Sequence, residues 1–137
     1  MSQKNAHTHQ SLHIALLNDF NQTVRQQVPF CGAEMTIEQQ EFINQLEALP
    51  QQLSGNSNGD EIFNGQQLFC KIIASYPHLT PLIPRDLLWF LGGDCLHFMP
   101  DNEINIYQQL DEARFKADHE RRSFDYKEER AKAFGMH

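Results

Sequence analysis

Six residues in one short run hold the densest collection of ligand-type side chains and bare backbone in this sequence: Trp89, Gly92, Gly93, Asp94, Cys95 and His97. Asp94 and His97 are three apart, so on a helix they share a face. A carboxylate so placed can fix the tautomer of the imidazole, or the two can bind a metal together. Carboxylate-x-x-His is half of the pattern in di-iron bundles, which also need a second copy and further glutamates on facing helices. The sequence has no second copy, so no metal site and no cofactor are expected. Cys95 and His97 lie about 200° apart around a helix. They cannot form a nucleophile–base pair there, and no catalytic residue is assigned.

Gly92 and Gly93 need a reason of their own, because each costs a helix about 1 kcal/mol relative to alanine. The structural reason is a close approach by another helix, or a break and restart. The functional reason is backbone left bare for a ligand. The run is no phosphate loop, since it lacks Gly-x-x-x-x-Gly-Lys.

Two further clusters carry possible chemistry. His9 and His13 stand at i, i+4, with His7 nearby. They could chelate a divalent metal if the first helix reaches that far; the simpler expectation is a solvated, frayed terminus. Toward the other end, Tyr107, Arg114, Phe115, Phe124, Tyr126 and Phe134 interleave aromatics with arginines. These residue types are enriched at protein interfaces. The simplest reading of the charged run from Arg114 to Lys132 is a solvated helix face. Any aromatics that one small core cannot absorb would make a two-fold dimer contact.

The elements that must position these residues are all helical. Leu12, Leu16, Phe20 and Val24 recur every four residues, and Pro29 and Gly32 end that pattern. Thr36-x-x-Gln39 is a capping box opening a helix with Phe42, Ile43, Leu46 and Leu49 on one side. Pro50 marks a kink or stop. After the loop 54–60, Asn64-x-x-Gln67 reads as a second box with Phe63 stapled on Leu68, though a start at Asp60 is also open. Three prolines in 76–84 predict a stiff extended connection. Residues 84–99 are apolar all round and predict a central buried helix. Asp101 caps the next helix, which reaches about Arg121, and Ser123 or Asp125 opens a last short one ending at Gly135. The expected fold is all-α: one compact domain of about six helices over 11–137, packed around 84–99, with residues 1–10 frayed.

Composition narrows the function classes. The chain has 137 residues and 40% hydrophobic residues, enough for one core. Net charge is −7. Residues 1–112 carry four basic and thirteen acidic side chains, residues 113–137 seven and five. An acidic body lacks the clustered cations that nucleic acid requires, so no nucleic-acid partner is expected. No long apolar span is present, so no membrane partner is expected. Three scattered cysteines with no Cys-x-x-Cys and no secretory leader predict cytoplasmic residence. The expected function is that of a small cytosolic accessory or protein-interaction protein without catalysis, binding another protein or itself. The alternative is a small-molecule- or metal-binding protein, or an enzyme, with a pocket near Trp89, Asp94, Cys95 and His97. After a histidine-free purification, elemental analysis should find no stoichiometric transition metal. About one equivalent, lost in Asp94→Ala or His97→Ala, would reverse that ranking.

Overall fold

The computed structural model describes residues 2–55 and 59–135, with side chains from His9 onward. The described residues form eight helices and no strand, so the domain is all-α. The first helix, α1 (Ser2–Arg25), begins well before the expected start at Ser11. Its stripe holds as read: Leu17, Phe20 and Val24 are buried, and Leu12 and Leu16 pack at the core edge.

Helix α2 (Ile37–Ser54) opens on the expected box. Thr36 Oγ1 accepts from the Gln39 amide at 3.1 Å, and Gln39 Oε1 accepts from the Thr36 amide at 3.0 Å. Pro50 does not stop it. The proline is itself buried and the helix runs on to Ser54, so that Leu53 also reaches the core. One lost backbone bond is offset there by burial of a further leucine, which contributes roughly 1.5–3 kcal/mol.

Helix α3 (Asp60–Ser75) takes the earlier of its two possible starts, with Gly59 as N-cap. Asp60 and Glu61 then lie in the first turn, where the helix dipole favours negative charge. Phe63 is exposed, so it staples nothing. The proline-rich connection is a 3-10 helix, Pro77–Leu82, rather than an extended strap. It drives Leu79 and Ile83 into the core.

The central helix is broken. Helix α4 (Arg85–Leu91) ends at Gly92, and a second 3-10 helix, Gly93–Phe98, follows. Gly92 sits at φ 69° and ψ −152°, a region essentially reserved for glycine. Its amide closes the last turn onto the Leu88 carbonyl. The Leu91 carbonyl, left without a helical partner, accepts from Gln66 Nε2 at 2.7 Å. Leu87, Leu88, Leu91 and Cys95 are buried, while Phe98 is exposed, so the run is not buried all round.

The expected close approach is present at Gly93, where an added Cβ would stand 2.7 Å from the Gln66 side chain of α3, and a second one lies at Gly65. A Cβ on Gly65 of α3 would stand 2.7 Å from a Leu91 methyl and 3.3 Å from a Leu49 methyl. Helices α5 (Asp101–His119) and α6 (Tyr126–Ala133) complete the fold. Asp101 is the first helical residue of α5, and Pro100, not Asp101, is its N-cap. Asp125 caps α6, its carboxylate accepting from the Glu128 amide at 3.1 Å. Helix α1 packs on α2, α4 and α6, and α6 also packs on α5.

Gly92→Ala should therefore destabilise the protein by about 1–3 kcal/mol. Gly32, which has only one backbone atom near an added Cβ, at 3.9 Å, serves as the tolerant control. Urea unfolding of the two variants checks this; equal midpoints would mean that the break at Gly92 carries no conformational cost.

Candidate functional site

The six residues singled out between Trp89 and His97 go to different places. Asp94 and His97 stay 3.8 Å apart but point to solvent, with side chains 74% and 79% exposed. Cys95 faces inward and is fully buried. Burial pushes its thiol up to about 12, helped by the neighbouring Cys70, so it is protonated and unreactive at neutral pH. Gly93 lies against the Gln66 amide group, which a Cβ would meet at 2.7 Å. Gly92 is the helix break. Trp89 turns the other way: its indole stacks on Tyr107 at 5.9 Å, and its N–H donates to Asp111 Oδ2 at 2.8 Å. These side chains diverge rather than face one common space.

A different set does converge, beneath α6. Asp86 of α4 is 4% exposed. Its Oδ1 accepts from the Tyr107 hydroxyl at 3.0 Å and from Arg130 Nη2 at 2.7 Å, and its Oδ2 accepts from Arg130 Nε. A buried carboxylate is tolerated only when donors replace water in this way. The bonds to Asp86 hold the Arg130 guanidinium firmly charged. Burial, and then the Asp86 charge, push the Tyr107 phenol up.

His9 and His13 of α1 form the other wall. Contrary to the solvated terminus expected, His13 is 1% exposed. Its ring stacks on Phe90 at 4.6 Å, and both histidines meet Tyr126 edge-on, at 4.7 and 5.4 Å. His13 Nδ1 is 2.7 Å from the His9 carbonyl. A carbonyl only accepts, so Nδ1 carries the proton and Nε2 keeps its lone pair. Burial lowers both imidazoles, His9 to about 3, with repulsion from His13 and then Arg114 adding to it. For His13 the bond to the His9 carbonyl and the charges of Asp86 and Asp111 offset part of the fall. Among the described residues no group of three His, Cys, Asp or Glu is placed to hold a metal ion.

The aromatics expected at an interface divide. Tyr107 and Tyr126 are buried within the chain, 1% and 0% exposed. Phe134 is half-buried, edge-on to Tyr107 at 5.0 Å with Arg130 over its ring. Phe124 is half-buried near Tyr126. Arg114 pairs with Asp111 at 3.6 Å and lies over Phe115, which alone of the six is widely exposed.

Sequence reasoning passed over Asp86 and Arg130 and set His9 and His13 aside. A charge inside an otherwise apolar helix was the available signal for Asp86, since buried charges require partners. Nothing in the spacing points to Arg130, 44 residues away.

The fold and this junction define a single all-α domain whose last helix is held down by a buried ion pair. The chain belongs to the PA2817-like family, whose profile matches residues 4–137. No curated protein and no solved structure matches it.

Removing Asp86 should leave Arg130 half-buried and unpaired, so Asp86→Ala should cost about 3–5 kcal/mol in denaturant unfolding; a loss under 1 kcal/mol would show that the pair is not coupled to folding. The histidines set a pH window. Both have folded values below the ordinary 6.5, so between pH 6.5 and about 3 the unfolded chain takes up protons that the folded chain refuses. That stability is intact above pH 6.5 and drains away as pH falls. The melting temperature should drop between pH 7 and pH 5, where carboxylates contribute little, and His9→Gln should flatten the drop. An equal slope in both proteins would contradict the buried neutral histidine.

Proposed function

We propose that this protein is a cytoplasmic interaction protein that pairs with a second copy of itself through the groove between α5 and α6. The observation that carries the reading is the groove's chemistry. It has a volume of about 310 Å³ and is walled by Ile106, Gln109, Leu110, Ala113 and Ala133, with Glu129 and Lys132, 3.6 Å apart within the chain, at its side. An apolar strip flanked by both charge signs is self-complementary under a two-fold axis: one copy's lysine can meet the other's glutamate. Tyr107 and Tyr126 are buried within the chain and are left out of the proposed contact. Three free thiols, Cys31, Cys70 and Cys95, suit a reducing compartment. No described helix is long and apolar enough to cross a membrane.

The pocket reading near Trp89, Asp94, Cys95 and His97 has less support, because those four side chains diverge. Light scattering at micromolar concentration separates the outcomes for the groove. The full chain should be a dimer, Ala113→Arg a monomer with unchanged helix content, and Phe115→Ser still a dimer. A monomeric full chain would sink the proposal; loss of the dimer only in Phe115→Ser would move the contact to the opposite side of α5.

A further inference from the structure

Two side chains at the junction beneath α6 are almost wholly buried yet hold an unpaired polar atom: His13 at Nε2 and Tyr126 at its hydroxyl. Two more atoms at the same place, Asp111 Oδ1 and Arg114 Nε, are buried without a hydrogen bond and face each other only as an ion pair at 3.6 Å. The four residues form one electrostatic neighbourhood. Asp111 and Arg114 both act on the ionisation of His13 and of Tyr126, and the two rings touch. Four of the six such atoms among the described residues thus come from one place. Scatter of this kind is not what an ordinary core shows, because buried polar groups are nearly always partnered.

The chemistry of the set is specific. His13 Nε2 carries a lone pair, since Nδ1 holds the ring's proton against the His9 carbonyl. Asp111 Oδ1 also accepts. The Tyr126 hydroxyl and Arg114 Nε donate. A neutral hydroxyl gives and takes hydrogen bonds at once: an alcohol can donate to one of the two acceptors while accepting from the donors, and a water molecule can donate to both. An anion would be repelled by Asp111 and left without protons for Nε2, and a cation would be opposed by Arg114 and Arg130. Phe90, stacked on His13, makes the wall apolar and strengthens each polar contact inside it.

We propose that the junction of α1, α4, α5 and α6 is a binding site for one neutral hydroxyl group, bridging His13 Nε2 and the Tyr126 hydroxyl. Helix α6, anchored by Arg130 on Asp86, is the cover of this site. The group is supplied either by water or by the hydroxyl of a small uncharged molecule.

Nitrogen-15 NMR of the labelled full chain tests this through the Nε2 resonance of His13. The expected position is that of an unprotonated nitrogen accepting a hydrogen bond, and it should persist in Tyr126→Phe, because the bound group, not the phenol, supplies the proton. A resonance at the position of a free lone pair overturns the proposal. So does a hydrogen-bonded position that reverts to free in folded Tyr126→Phe, which would mean direct donation by the tyrosine. If that variant does not fold, a crystal structure of the natural chain decides: density touching both His13 and Tyr126 supports the site, and continuous protein contact between them refutes it. Cross-relaxation of the bound proton with solvent identifies water, whereas a retained mass in native mass spectrometry identifies a small molecule.

Discussion

Burying Asp86 is possible only because three donor groups, the Tyr107 hydroxyl and two nitrogens of Arg130, converge on its two oxygens. The rest of the C-terminal structure depends on this arrangement. Helix α6 has only eight residues, too few to be stable by itself. Its place is fixed by Arg130 on Asp86, by Tyr126 edge-on against both histidines of α1, and by Phe134 on Tyr107. A buried ion pair need not add net stability over an apolar one, but it rejects alternatives. Any register of α6 that removes Arg130 leaves a charged carboxylate in the core with no counter-charge and only the Tyr107 hydroxyl as donor. The pair therefore acts on specificity: it selects one docking of the last helix.

A second constraint comes from bare backbone. At Gly92 the chain adopts an angle that a side chain would oppose, and this turns a long apolar run into a short helix and a 3-10 turn. The change of direction exposes Asp94 and His97 and buries Cys95. At Gly65 the missing side chain lets α3 press onto Leu49 and Leu91. The two glycines serve one purpose from two sides, since Leu91 both contacts Gly65 and ends the helix that Gly92 breaks, with Gln66 taking its carbonyl.

The two functional proposals share α6. Its outer surface makes one wall of the groove proposed for self-association, and its inner surface carries Tyr126 over the polar junction. Binding beneath it and pairing across it would therefore report on the same helix. Linkage of this kind needs no movement beyond the seating of eight residues.

By itself the sequence determined the helical class, the stripe on the first helix and the Thr36–Gln39 box, because these are local: they depend on spacing within one or two turns. It also carried the alternatives that the structure then chose between: the start of α3, Ser123 or Asp125 as the cap of α6, and the break at the glycines. What only the tertiary structure decided were the partners across long separations. Periodicity placed Tyr107 and Tyr126 on charged helices and read them as surface residues, whereas packing turned them inward. It assigned His9 and His13 to a loose terminus because nothing nearby in sequence could cover them; the cover, Tyr126, lies more than a hundred residues away. Arg130 is unremarkable in its own segment, and Asp86 stands out there only as a charge in an apolar helix. A charge becomes a site only when the fold removes its water and supplies a counter-charge, and that happens in three dimensions.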